Sequence, residues 1–573
     1  GEKVRIRIEY DGSSTPILRT WTNKEQCYEM LLVDENLYEY TLTMPEEPCQ
    51  LWYNFLIENN QGTIIYGNSN DMLGGEGQTY NKDFHSYLIV VYDKNFTTPD
   101  YLHKGIIYQI FPDRFKKGDY KPKELIEGRT YRDWHEDPLL NIDVKNGDNY
   151  AHDFFMGNLR GIVEKLDYLE DLGISVLYLN PIFKAGTNHR YDTGDYTKID
   201  PYLGDDREFD LLCKEAEKRG IRIILDGVFS HSGADSKYFN LYNNYDSVGA
   251  YQSTESEYYN WYTFRNYPDD YLAWWGIYTL PELNKHDPGL QDFFLNEETG
   301  IASKWLKDGA SGWRLDVADE LPMDFLEKLR LSIKNTDEQA AIIGEVWEDA
   351  SNKVAYEQIR CYCYGDTLDG VMNYPLRIEI INFLMGKTDA YNLSKLLLHQ
   401  REVYPTPFLY ACMNLISSHD RARILNVFAD EEHNGGDRAF NKNVKLTKDQ
   451  YNDAYKKYLK ALSLLTALPG SPTVYYGDEA GMQGTADPWN RRPYPWGYID
   501  RSLHEETREI LQRRKNSSVL KTGDIDIDVI DENTIKIIRE IKNGVDVFGN
   551  KAENGKVIMI LDRSKDEPEW IFE

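Results

Sequence analysis

Four short runs place acids, an arginine and imidazoles at the ends of apolar stretches. They are LDGVFSH with Asp226 and His231, GWRLDVADE with Arg314 and Asp316, GEVWEDA with Glu345 and Trp347, and NLISSHD with His419 and Asp420. Residues two apart on a strand point to one face, so Arg314 and Asp316 project together, and the guanidinium is expected to keep Asp316 ionised, as a nucleophile requires. Glu345 lies in an apolar stretch beside Trp347, where desolvation raises a carboxyl pKa and holds the proton that a general acid needs. Two carboxyls in unlike settings, about 5 to 5.5 Å apart, are what retaining glycoside hydrolysis requires. A plainer account is a buried Arg314–Asp316 ion pair and a loop-capping Glu345, and these residues alone do not choose between the two.

Chemistry of this kind needs strand ends gathered on one rim. From Ile106 onward the chain alternates short apolar runs with segments of helical periodicity, the pattern of a parallel sheet wrapped by helices. Eight runs read as strands: IIYQIF (106–111), VLYLNP (176–181), IRIILD (221–226), GWRLDV (312–317), AIIGEV (341–346), LDGVMN (368–373), YACMNLI (410–416) and TVYYGD (473–478). Eight such strands point to an α/β fold, a (β/α)8 TIM barrel, over residues 101–515. LRGIVEKLDYLEDLG, REFDLLCKEAEKRG and SKWLKDGA read as its helices, each ending where a buried strand begins. An insertion after the third strand, at about 231–295 and rich in Tyr, Trp, Asn and Asp, is expected to rise over the C-terminal face where barrels do their chemistry. Residues 1–100 alternate apolar and polar positions (VRIRIEY, YEYTLTM, LWYNFLIE, YLIVVYD) and read as an N-terminal β-sandwich; 516–573 read as a small C-terminal β domain.

Composition excludes several partners. The 573 residues carry 65 Lys+Arg against 95 Asp+Glu, a formal charge of −30, which repels phosphate backbones and anionic lipid, so neither nucleic acid nor membrane is expected. The 43 Tyr and 12 Trp suit flat sugar rings as well as core packing, and core is the better reading for Trp21 and Trp52. Six Cys match no zinc spacing and read as buried free thiols. No run of about 18 apolar residues occurs, and the start GEKVRIRIEY has no apolar signal region, so the chain reads as soluble, either cytoplasmic or secreted with its signal removed.

In order along the chain, IIYQIFPDRF, NHRYDTGDY, LDGVFSH, TLPELN, GWRLDVADE, GEVW and NLISSHD resemble the seven sequence regions of the α-amylase superfamily, glycoside hydrolase family 13. The likeness covers about 105–500 and is nearest to the neopullulanase, cyclomaltodextrinase and amylopullulanase branches. It implies a retaining α-glucan hydrolase that cleaves α-1,4 bonds, with α-1,6 cleavage left open, in starch-derived oligosaccharides, pullulan or cyclodextrins. The alternatives are a debranching pullulanase or transglycosylase of the same family and, remotely, a non-catalytic glucan-binding protein. Position by position, the resemblance implies that Asp316 is the nucleophile, Glu345 the acid/base and Asp420 the third carboxylate that binds sugar hydroxyls. Asp226, Arg314, His231 and His419 would hold the sugar before the scissile bond, with Tyr191 as its stacking platform and His189 beside it. Trp347 would line the leaving-group side, and Asp487 and Arg491 would grip the next sugar. The N-terminal domain of such relatives also allows a homodimer.

The departures bear on metal. Ser230 stands where many relatives have a calcium-binding Asn, and a hydroxyl is a poorer Ca²⁺ ligand than an amide oxygen. At a second calcium site of the neopullulanase branch, Lys117 occupies one ligand position and only Asp119 and Asn158 remain. No cofactor is therefore expected to be required and no metal-ligand residue is assigned, while a structural calcium is left open with its usual ligands partly replaced. Glu282 in TLPELN stands where that branch has Lys.

Overall fold

The computed structural model describes every residue except 60–61, 126–128, 141–150 and 434–437. Its central sheet consists of β1 (Ile107–Ile110), β2 (Val176–Leu179), β3 (Arg222–Gly227), β4 (Gly312–Leu315), β5 (Ala341–Gly344), β6 (Gly370–Val371), β7 (Met413–Leu415) and β8 (Ser471–Tyr475). The order is β6-β5-β4-β3-β2-β1-β8-β7, every pair parallel. A parallel bridge between Met372 and Met413 joins the two edges and closes the barrel. Covered on both faces, these strands read as continuous apolar runs: Tyr178, Ile224, Ile343 and Met413 fill the interior, while Leu177, Ile223, Leu225 and Ile342 join the larger core outside.

The seventh run departs from expectation. Tyr410 and Ala411 end a helix, Thr406–Ala411, that starts with Pro407 in its first turn, so only Met413–Leu415 of YACMNLI is strand. A short apolar run has no periodicity of its own, and Pro preset the first helical turn. LRGIVEKLDYLEDLG likewise forms two helices, Leu159–Val163 and Leu166–Leu172.

After β3 the chain leaves the barrel and builds a layer around a small hairpin, Phe264–Asn266 with Asp270–Tyr271, over an aromatic core that includes Tyr238, Phe239, Trp261 and Tyr262. A bridge between His231 and Glu282 ties its two ends above β3. The N-terminal residues form a three-stranded and a six-stranded antiparallel sheet around Ile6, Leu18, Leu42, Leu51 and Phe55, and Trp52 packs against the main core. The C-terminal sheet has four antiparallel strands between Asp524 and Phe572. Two fully buried arginines dock it: Arg514 donates to the carbonyls of Leu468, Gly470 and Leu520, and Arg539 to those of Ala467 and Gly523. All six cysteines are free; Cys213, Cys363 and Cys412 are buried, but Cys27 is exposed. No helix among the described residues is long and apolar enough to cross a membrane.

Candidate active site

Arg314, 1% exposed, is the hub of the C-terminal rim. Strand register sets it beside Asp226 of β3, and its Nη1 donates to Asp226 Oδ1 at 2.8 Å and to Asp316 Oδ1 at 2.9 Å. Its Nη2 lies 2.8 Å from Glu345 Oε2, close enough for charge pairing but without hydrogen-bond alignment. Glu345 is held from two more sides: Val317 N donates to Oε2 at 2.9 Å and Trp347 Nε1 to Oε1 at 3.0 Å. Val317 adopts φ +40°, a left-handed conformation costly for a β-branched residue, and so turns its N–H onto the carboxylate.

One guanidinium thus serves three carboxylates, and the electrostatics differ from the sequence expectation. Burial pushes the Asp316 carboxyl well up; Arg314 pulls against it, and the charges of Glu345 and Asp226 add to the rise. Burial raises Asp226 as well, against Arg314 and the Tyr178 hydroxyl. Arg314 does not hold Asp316 low, because its charge is shared and water is excluded. Nor does Glu345 sit in an apolar setting, since it faces the same guanidinium.

Beneath the space where a sugar would lie, a chain of hydrogen bonds sets the side chains. Gln109 Nε2 donates to His419 Nδ1 at 2.8 Å and to Asn180 Oδ1 at 3.1 Å, leaving the imidazole proton on Nε2. That Nε2 meets the Tyr191 hydroxyl at 2.6 Å, which in turn donates to Asp226 Oδ2 at 2.9 Å. The Tyr191 and His419 rings lie 6° from parallel, 5.5 Å apart. Burial, with Arg491 and Arg314 adding, keeps His419 well below the usual imidazole range and hence neutral. Ser230 Oγ meets His231 Nδ1 at 2.8 Å; burial, with Lys285 adding, takes His231 down to about 3, and its Nε2 has no hydrogen-bond partner among the described residues. Asp420 is the most open acid, its side chain 30% exposed, with Oδ1 3.3 Å from His419 Nε2 and 3.8 Å from Arg491 Nη2. Arg491 also pairs with Asp487 at 3.2 Å.

These groups surround a cavity of about 810 Å³. Nine of the twelve sequence-derived residues line it: His189, Tyr191, His231, Asp316, Glu345, His419, Asp420, Asp487 and Arg491. Asp226, Arg314 and Trp347 lie behind that wall. Asp226 and Arg314 spend their polar atoms on the hub. Trp347 lies flat on Tyr374 at 3.7 Å with Arg421 over its ring, and reaches the site only through Glu345. Sequence reasoning missed His152, Thr187, Asp192, Tyr242, Trp274 and Arg438 in the wall. The Trp274 ring lies 5.1 Å from that of His231 and stacks on Trp275, which is 77% exposed and donates Nε1 to Glu320 Oε1 at 2.8 Å. The aromatic richness of the insertion was the available signal.

The residues left for calcium do not fit it. Asn158 Oδ1 accepts from Gly161 N at 2.8 Å and Gly118 N at 3.2 Å, capping the helix Leu159–Val163, while its Nδ2 donates to the carbonyls of Gly118 and Met156. Lys117 and Asp119 are exposed, and Ser230 is engaged by His231. The amide of Asn158 does the loop-pinning that a cation would do.

The family description "Alpha amylase, catalytic domain" matches residues 109–524. Amylopullulanase of Thermoanaerobacterium saccharolyticum is 39% identical over 566 residues, 91% of this chain and 43% of that protein. The chain spans 29% to 43% of the length of three amylopullulanases among those that it matches. Neopullulanase 2 of Thermoactinomyces vulgaris is 31% identical over 89% of this chain and 80% of its own. Among solved structures, the cyclic α-maltosyl-(1→6)-maltose hydrolase of Arthrobacter globiformis superposes with a TM-score of 0.67 at 30% identity, over 81% of this chain and 92% of that one. With the matched region spanning nearly all of the barrel and its cluster of acids, the chain belongs to the α-amylase family.

Proposed function

We infer that the protein is a retaining α-glucan hydrolase. The observation that carries this reading is the single guanidinium that brings Asp316 and Glu345 together in the wall of a cavity of about 810 Å³. Asp316 attacks the anomeric carbon from one face as Glu345 protonates the departing glycosidic oxygen, giving a β-glycosyl ester and a free chain end. Glu345 then takes a proton from water, which displaces Asp316 and restores the α configuration. Asp420, open to the cavity, accepts sugar hydroxyls, and neutral His419 and His231 donate or accept without adding charge.

Relatives named amylopullulanase, neopullulanase and cyclomaltodextrinase point to starch oligosaccharides, pullulan and cyclodextrins as substrates, with α-1,4 bonds cleaved and α-1,6 bonds open to the same chemistry. Incubation with pullulan and chromatography of the products test this. Panose is the expected product and reports α-1,4 cleavage; maltotriose would assign the debranching alternative. A protein that bound pullulan and starch but released no reducing ends from either would not be a hydrolase.

We propose that no metal is required, on the engagement of Asn158 and Ser230 by protein partners. Excess chelator should leave both the turnover and the melting temperature of the purified protein unchanged. A fall in either that calcium reverses would show a site elsewhere.

A further inference from the structure

Asp192 lies in the cavity wall, 9% exposed, at the end of a loop that begins at Gly186. Its Oδ2 accepts from Gly186 N at 2.9 Å and from Thr187 N at 3.1 Å, and its Oδ1 accepts from the Thr187 hydroxyl. Thr187 Oγ1 in turn accepts from Arg190 N at 3.3 Å and lies 3.1 Å from His189 Nδ1. Tyr191 N donates to the same Nδ1 at 3.1 Å. A backbone N–H can only donate, so Nδ1 carries no proton; burial keeps the ring neutral, and its one proton sits on Nε2. His189 therefore offers the cavity a donor edge, fixed from behind by Tyr191 N, with the Thr187 oxygen 3.1 Å from the same Nδ1.

We infer that Asp192 is a positioning residue of the sugar site, setting through the Thr187 hydroxyl how His189 is presented to a sugar. This rests on the hydrolase reading and extends it to a residue that touches none of the catalytic acids. With Asp192 ionised, the Thr187 proton is committed to a carboxylate, a charge-assisted bond roughly twice as strong as a neutral one. With Asp192 protonated, the carboxyl itself donates to Thr187 Oγ1, and the hydroxyl proton turns to His189 Nδ1. No bond to carbon changes; one proton from water reverses the Asp192–Thr187 hydrogen bond, frees the Thr187 proton to form a new bond to His189 Nδ1, and weakens the cap on the loop.

Burial lifts the Asp192 carboxyl to about 6, against the hydrogen bonds from Thr187 and Gly186. The ionised form that holds the loop is therefore lost as pH falls through about 6. Other titratable groups face this region: Asp235 and His152 share the cavity wall, and Asp195 and Asp200 act with Asp192 on the Tyr245 phenol, which burial first pushes up. Arg190, on the same loop, is taken up by Asp200 and the Asn188 carbonyl.

The test compares Thr187→Val, which keeps the shape and the backbone bond to Asp192, with Thr187→Ser, which keeps the hydroxyl. KM and kcat are measured on a maltooligosaccharide from about pH 5 to about pH 8. Wild type and Thr187→Ser should share a rise in KM below about pH 6. Thr187→Val should raise KM roughly tenfold at neutral pH, keep kcat within about twofold and lose that inflection. Asp192→Asn, which cannot titrate, should lose the same inflection even if Thr187→Val folds poorly. A Thr187→Val or Asp192→Asn enzyme with the wild-type KM profile overturns the inference, as does a Thr187→Ser enzyme that behaves like Thr187→Val. Failure of the hydrolase reading would instead appear in the wild type, as absence of turnover, and would take this inference with it.

Discussion

Asp316→Asn should lower kcat on starch oligosaccharides by about 10⁴-fold or more, with KM near wild type and the fold intact. The amide keeps an oxygen for Arg314 Nη1 and nearly the shape of the acid, so the hub stays assembled. What is lost is the anion that bonds to the anomeric carbon, and an amide cannot leave a stable glycosyl ester in its place. Stability should move the other way. A carboxyl raised in the folded state binds its proton more tightly there than in the unfolded chain, so its effect on stability is least harmful at low pH. As pH rises through the folded value, the buried charge becomes a growing cost. Asparagine removes that cost at neutral pH, so the variant should melt no lower than wild type, and higher as pH increases. Thermal melts at two pH values with single-substrate kinetics check both halves. A variant within tenfold of wild-type kcat would remove Asp316 from the nucleophile's role.

The barrel was legible because its strands are covered on both faces: runs such as IRIILD have nowhere polar to face, and period and length then separate them from helices. The seventh run misled because Tyr410, apolar enough for a strand, packs instead from a short helix and donates its hydroxyl to Gly523 O at 2.6 Å, just before the C-terminal sheet. In the site, the two-residue spacing of Arg314 and Asp316 correctly put both on one face. Electrostatics were not legible, since the sharing of Arg314 with Asp226 and Glu345 depends on the register of neighbouring strands. The stacking of Trp347 on Tyr374, 27 residues further on, was not legible either, since no local pattern announces that pairing. Asp192 lies inside NHRYDTGDY, next to Tyr191, yet its work depends on the loop from Gly186 folding back onto it.

Glu345→Gln separates proton donation from nucleophilic attack, because it leaves Asp316 and Arg314 untouched. For starch, whose leaving oxygen is a poor one without a proton, kcat/KM should fall by about 10³-fold. For an α-maltosyl fluoride or nitrophenolate, which departs without protonation, kcat/KM should fall by less than about tenfold. That ratio reports the first chemical step alone, so it is not confused by slow hydrolysis of the glycosyl-enzyme, which also needs Glu345 as base. Added azide, an anion that needs no base, should then raise the turnover of the activated substrate and give a glycosyl azide of retained α configuration. The substitution also has a structural cost. Val317 N and Trp347 Nε1 donate to the two carboxylate oxygens, so one of them must face an amide NH₂ in the variant, costing about 1–3 kcal/mol of stability. Melting of Glu345→Gln should thus fall where that of Asp316→Asn does not, although both remove a charge from the same guanidinium. Equal losses on starch and on the fluoride, with no response to azide, would mean that Glu345 only orients Arg314 and Val317 and that the proton comes from another group.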